Sequence, residues 1–238
     1  MTELHALRDA YRLQKKTLLT ALLAKGSSSR GIHALLRKLS RLADGLLCTL
    51  WQRAALPPGL VLAAVGGYGR EQLFPYSDID VLVLLPGDLP QPEAVRTQIE
   101  GFIRSCWDAG LEIGSSVRTV EECLAEAAND VTVQTSLLEA RRVCGDAALF
   151  AHFEHQFGAR LDPHAFLTAK TLEMRQRHTK HENTPYALEP NCKESPGGLR
   201  DLHLILWVAR AAGLGKRWDE LAHSGLATPY EVRQIQRN

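Results

Sequence analysis

The sequence contains no CxxC pair, and its five cysteines (Cys48, Cys106, Cys123, Cys144 and Cys192) are odd in number. A disulfide framework is not expected; the thiols point to a reduced, cytosolic interior in which most pack as small core hydrophobes. Charge of one sign is also missing. The 28 Lys+Arg oppose 27 Asp+Glu, a formal net charge of +1, so there is no global basic field for a nucleic-acid backbone and no nucleic-acid partner is expected. No apolar run approaches the ~18 residues of a membrane span, and no basic start leads into an apolar stretch. A cytoplasmic protein without membrane contact is expected. Repeats and low-complexity tracts are absent as well. What remains is ordinary globular composition, 45% apolar and 23% charged, in 238 residues: one large domain or two small ones, with a core that needs no staples.

Helical periodicity runs over residues 3–25 (Leu4, Leu7, Tyr11, then Leu18 and Leu22) and stops at Gly26 and an SSSRG linker. A second helix carries Ile32, Leu35, Leu36, Leu39, Leu42, Leu46 and Leu50 along one side and ends before Pro57-Pro58-Gly59. Then the period changes. LVLAAV at 60–65 and DIDVLVLL at 78–85 read as buried strands separated by a glycine-rich loop. PGDLPQP closes the second, a helix fits 92–108, and a third short strand lies around 111–113. Thr119 and Glu122 match a capping box, and helices are expected over 131–142, 146–157, 163–180 and 198–212. The final EVRQIQRN is still helix-like and carries no stop signal, so the chain is expected to continue in a longer protein. The fold class is α+β.

The informative stretch is VGGYGREQLFPYSDID at 65–80. In a strand, residues i and i+2 share a face about 6.6 Å apart, so Asp78 and Asp80 project together while Ile79, Val81 and Val83 face the other way. Two such carboxylates are either a solvated strand end or a cation site. Two Mg²⁺ ions would turn their repulsion into a clamp suited to in-line displacement at phosphorus. Gly66 and Gly67 let a triphosphate approach the backbone, Ser77 adds a hydroxyl, and Arg70 is a candidate phosphate contact. Glu112, between Leu111 and Ile113, is the candidate third carboxylate, with an edge-strand glutamate facing water as the alternative.

These residues carry a resemblance. GGYGREQLFPYSDID is similar to the signature of the DNA polymerase β-like nucleotidyltransferase superfamily. LEPNCKESPGGLRDLHLILWVAR at 188–210, LEIGSSVRTVEECL and DVTVQTSLLEARRVCGD resemble, more narrowly, the bacterial PII uridylyltransferase/uridylyl-removing enzymes. The likeness runs from about residue 60 to 212. It implies an N-terminal helical segment (1–56), a small mixed β-sheet nucleotidyltransferase core (57–145) and a C-terminal helical domain (146–238). It also implies transfer of UMP from UTP to a tyrosine hydroxyl of the signalling protein PII, with release of pyrophosphate. By position Asp78 and Asp80 become metal ligands, Glu112 matches the superfamily's third carboxylate, and Gly66, Gly67 and Ser77 become triphosphate contacts; on the chemistry of its residue type, Glu112 is the candidate for both metal ligand and proton acceptor. Two departures show: Ser115 stands in GSSVR where the family usually has histidine, and Cys192 where an aliphatic residue is usual. The family's uridylyl-removing activity belongs to an HD-type hydrolase domain followed by ACT domains; this sequence has no His-Asp dipeptide.

Lys193 and Arg200 flank Pro196-Gly197-Gly198, a break before a helix that reads either as a nucleotide-phosphate site or as a loop in which Arg200 pairs with Glu194 or Asp201. His178 and His181 read as solvated helix-face histidines, and Trp51, Trp107 and Trp207 as core. Two other functions fit the residues: a nucleotide- or PII-binding module without turnover, and a nucleotidyltransferase acting on RNA or a small-molecule hydroxyl.

Overall fold

A computed structural model of the chain describes residues 2–26, 28–89 and 92–237. Two long helices, α1 (Thr2–Lys25) and α2 (Ser29–Arg53), lead into strand β1 (Val61–Ala64), a single helical turn α3 (Gly66–Gly69) and strand β2 (Ile79–Leu85). Helix α4 (Pro92–Asp108) crosses to β3 (Ile113–Thr119), and α5 (Val120–Asn129) and α6 (Val131–Leu138) precede β4 (Arg141–Gly145). Helices α7 (Ala147–Arg160), α8 (Pro163–Lys180), α9 (Leu199–Ala211), α10 (Trp218–His223) and α11 (Pro229–Arg237) follow. The fold is α+β, with a four-stranded mixed sheet between helical ends. Among the described residues no helix is long and apolar enough to cross a membrane.

Two compact units result: Met1–Asn129 with Glu139–Phe157, and Asp130–Leu138 with Gly158–Asn238. The first holds the sheet, in the order β3-β2-β1-β4. β1 runs antiparallel to β2 and β4, while β2 and β3 are parallel and joined by the α4 crossover. Alternation decides the packing. Leu60, Leu62, Ala64, Ile79, Val81 and Val83 join Leu39, Leu47 and Leu50 of α2 and Ile99 and Phe102 of α4 in one core cluster. Leu82 and Leu84, on the other face of β2, are also buried, so polar residues are tolerated only at the mouth of the strand.

Several local expectations hold at the level of hydrogen bonds. Thr119 and Glu122 form the capping box, with the Thr119 N–H donating to Glu122 Oε2 (2.7 Å) and the Glu122 N–H to Thr119 Oγ1 (3.2 Å). Cys106 and Cys123 are fully buried, and burial pushes each thiol up to about 12, as for inert core sulfurs. Others need correction. Ser28, placed in the linker, is the N-cap of α2 and accepts from Gly31 N–H at 3.1 Å. Ser27 of that linker, Pro90 and Gln91 of the PGDLPQP turn and the terminal Asn238 lie outside the described residues. Helix α6 ends at Leu138, and Arg141–Gly145 is a strand rather than the continuation of a helix over 131–142. β3 extends to Thr119 because β2 supplies a full parallel partner; its polar GSS run concealed it. Trp107 is 54% exposed, on the solvent side of α4, whereas Trp51 meets Phe102 edge-on at 5.3 Å and Trp207 is buried.

The second unit packs α8 against α9 and α6. Lys170 of α8 is only 2% exposed, lies 4.5 Å from the Trp207 ring centroid and donates to Glu173 at 2.6 Å. Burial holds its ammonium below the usual lysine range.

Candidate active site

The chain leaves β1 at Val65, whose N–H donates to the Asp80 carbonyl at 3.0 Å. The first turn of the glycine-rich segment is thus fastened directly to the strand that carries the aspartates. Gly66–Gly69 is not an open loop but one helical turn, closed by the Gly69 N–H to Val65 O (3.0 Å) and the Arg70 N–H to Gly66 O (3.1 Å).

Its glycines have different reasons to be there. Gly66 takes φ +57°, a left-handed conformation that side chains rarely adopt. Gly69 packs so closely that a Cβ would fall 2.2 Å from the Glu139 carbonyl oxygen. Gly67 meets neither constraint: a Cβ there would find only ordinary contacts, 3.6 Å to Arg70 Nη2 and 3.8 Å to Gln72 O. The fold does not require Gly67 to be glycine.

Asp78 is exposed one residue before β2, and Asp80 is exposed within it, while Ile79 between them is 4% exposed and faces the core. The alternation expected of the pair is present. Asp80 pairs in register with Gly114 of β3, and a Cβ on Gly114 would sit 2.7 Å from Asp80 Oδ1; the carboxylate leans across the space that glycine leaves. Glu112 is exposed just before β3, between buried Leu111 and Ile113, and its carbonyl accepts from the Ile79 N–H at 2.8 Å. Its backbone therefore lies beside the mouth of β2. Among the described residues no three His, Cys, Asp or Glu side chains gather into a cation-binding group, so the three carboxylates are neighbours in the sheet without converging. Ser77 is exposed and shares a small cleft with Glu112, Lys15 and Tyr76.

Arg70, a candidate phosphate contact in the sequence, turns inward. Its guanidinium donates to Glu139, which is 3% exposed, and through Nε to Gln72 at 3.1 Å. A buried carboxylate requires a cation, and Arg70 provides it. Next to it, the Tyr68 hydroxyl donates to Asp44, which accepts two bonds from Arg141 at 2.9 and 3.0 Å. Burial, reinforced by Asp44, raises the Tyr68 phenol well above its usual range. Sequence reading missed Glu139, Asp44, Arg141 and Gly114. The first three are ordinary charges by pattern, and only the fold brings them to the turn.

The Lys193–Arg200 segment belongs to the second unit and corrects an expectation. Free amides were the basis for an anion site there, yet the amides are already bonded. The Gly197 N–H donates to Asp201 Oδ2 (2.7 Å), Gly198 to Ser195 O (2.8 Å), Leu199 to Cys192 O (2.9 Å) and Arg200 to Lys193 O (3.0 Å). Arg200 Nε donates to Glu194 at 2.9 Å, and Lys193 is exposed. His178 is not simply solvated: its Nε2 lies 2.9 Å from Asp201 Oδ2, and Arg177 bonds the same carboxylate. Burial alone would raise the Asp201 carboxyl, but the Gly197 N–H, Arg177 and His178 together hold it below its ordinary value.

Comparison with known proteins fits this arrangement. A family model for a nucleotidyltransferase domain matches residues 47–138, and one described as GlnD PII-uridylyltransferase matches 165–238. Similar proteins include those named bifunctional uridylyltransferase/uridylyl-removing enzyme from Burkholderia orbicola (54% identical over 95% of this chain), Burkholderia lata (55% over 95%) and Burkholderia mallei (56% over 91%). The chain spans about a quarter of their length: 26%, 26% and 25%. The chain thus carries a match to a nucleotidyltransferase domain and a match to a PII-uridylyltransferase segment, and it shares more than half of its residues with a quarter-length portion of the proteins named bifunctional uridylyltransferase/uridylyl-removing enzyme.

Proposed function

We propose that this chain transfers UMP from UTP to a tyrosine hydroxyl of the nitrogen-regulatory protein PII in the cytoplasm, using two Mg²⁺ ions and releasing pyrophosphate. The observation that carries this reading is the exposed Asp78/Asp80 pair at the mouth of an otherwise buried strand, beside a glycine, Gly67, for which packing gives no reason. The relatives' name, bifunctional uridylyltransferase/uridylyl-removing enzyme, supports the nucleotide.

The donor set suits Mg²⁺, which takes oxygen ligands and is commonly held by one or two carboxylates together with waters and substrate phosphates. Asp78 and Asp80 would hold it, with Glu112, which immediately precedes the adjacent strand, as a third ligand once the ion draws the carboxylates together. When bound, the ions would neutralise charge on the triphosphate and lower the pKa of the acceptor hydroxyl. The chain's own residues do the rest. Gly66 and Gly67 admit the triphosphate to the backbone, and the Ser77 hydroxyl donates to it. Glu112 accepts the proton as the tyrosine oxygen bonds to the α-phosphorus and the bond to the β-phosphate oxygen breaks. An unperturbed tyrosine titrates near 10, so the hydroxyl needs this assistance at neutral pH.

Incubation with α-labelled UTP, Mg²⁺ and PII tests the reading. Label on a PII tyrosine, lost in Asp78→Asn, is the expected result. Label on RNA or on a small-molecule hydroxyl replaces the acceptor, and nucleotide binding without transfer reduces the chain to a binding module.

A further inference from the structure

We infer that Glu139 and Arg141, at the head of β4, are positioning residues for nucleotide binding, acting through the Gly66–Gly69 turn. This rests on the reading that the turn receives the triphosphate.

The turn is gripped from behind at three consecutive residues. Tyr68, 2% exposed, donates its hydroxyl to Asp44, and Arg141 holds that carboxylate with two nitrogens. The Arg141 guanidinium also lies 5.4 Å from the centroid of the Tyr68 ring. Gly69 rests on the Glu139 carbonyl oxygen so closely that no side chain fits between them. Arg70 pairs with the Glu139 carboxylate, the one fully buried carboxylate among the described residues. Residues 139 and 141 thus hold residues 68, 69 and 70, and β4 is itself bonded to β1 with Ala64 opposite Arg141. At its other end the turn is tied to Asp80 by the Val65 N–H. Gly66 and Gly67 lie between these fixed points.

An ion pair at this depth is a poor source of stability, because desolvation offsets most of the attraction. Its directional bonds do fix geometry, and displacements of about 1 Å in a binding site carry large penalties. The clamp sets where the glycine backbone stands relative to the aspartates.

The test uses Glu139→Gln, which keeps shape and removes charge, and Tyr68→Phe, which removes only the hydroxyl and keeps the ring in the core. For each, the dissociation constant of UTP with Mg²⁺, KM, kcat and the unfolding midpoint are measured well below that midpoint, with Asp78→Asn alongside. Positioning predicts that both variants, folded at the assay temperature, bind UTP at least fivefold more weakly. In the double variant Arg70→Gln/Glu139→Gln, which strands no charge, stability returns but UTP affinity does not. If the unfolding midpoints fall while UTP affinity and KM stay at the parent values, the residues are merely structural and the inference is overturned, even though Asp78→Asn is inactive. If Asp78→Asn retains full transfer, the reading of the site itself fails and the inference fails with it.

Discussion

The chain contains two Gly-Gly pairs that stand just before or within a helical start, Gly66-Gly67 and Gly197-Gly198, and they behave oppositely. In the second pair every amide from Gly197 to Arg200 has an acceptor within the segment, and the nearby charges are matched: Arg200 with Glu194, Arg177 and His178 with Asp201. In the first, structural bonds hold the turn from Tyr68 onward, while Gly67 carries no packing constraint and exposed carboxylates stand nearby. A glycine pair ahead of a helix is therefore no indication of a phosphate site by itself. What distinguishes the two is whether the fold already accounts for the absent side chain and for the hydrogen bonds.

Substitutions can break or sharpen that contrast. The largest effect is expected from Asp78→Asn or Asp80→Asn, which should lower UMP transfer by about a hundred- to a thousandfold while the unfolding midpoint holds; removal of preorganised charge stabilisation has this magnitude. Gly69→Ala comes next. The Cβ would meet the Glu139 carbonyl, so destabilisation on the order of 3 kcal/mol, read by denaturant unfolding, is expected from overpacking against backbone. Gly67→Ala separates ligand from fold. It should leave stability unchanged or raise it by up to about 1 kcal/mol, since alanine is the better helix former, while UTP affinity falls about tenfold. In the second unit, Lys193→Ala with Arg200→Ala should change UTP affinity less than about twofold, because Arg200 is already paired.

The smallest effect is a pH dependence. Asp201 titrates below its unfolded value, so its stabilisation is present above that value and is lost as pH falls through the lower, folded one. The stability difference between the parent chain and Asp201→Asn should therefore shrink below about pH 4, as followed by thermal unfolding.

Local rules read much of this molecule from sequence. The α8 span is legible because Asp162 caps it, with Pro163 at its first position; the apolar cores of β1 and β2 are legible because runs bounded by turn residues have few other uses. The Asp78/Asp80 alternation follows from strand geometry alone. β3 and β4 were harder to see because they flank the sheet: Gly114-Ser115-Ser116 and Arg141-Arg142 lack an apolar period, and their strand character comes from the partners they bond. The partners of Arg70 and Tyr68 were illegible for a related reason. Glu139 follows the end of α6 and Asp44 lies in the middle of α2, so each contact spans dozens of residues that only folding brings together. Gly114 is legible only in the parallel register, where it faces Asp80.

The central claim is that Asp78 and Asp80 hold a divalent cation beside the Gly66–Gly67 backbone when a nucleoside triphosphate is present. Titration of the chain with Mn²⁺ in the presence and absence of UTP, followed by electron paramagnetic resonance, tests it most directly. The account predicts Mn²⁺ uptake that tightens with UTP and disappears in Asp78→Asn and Asp80→Asn; uptake that is indifferent to UTP, or unchanged in both variants, would contradict it.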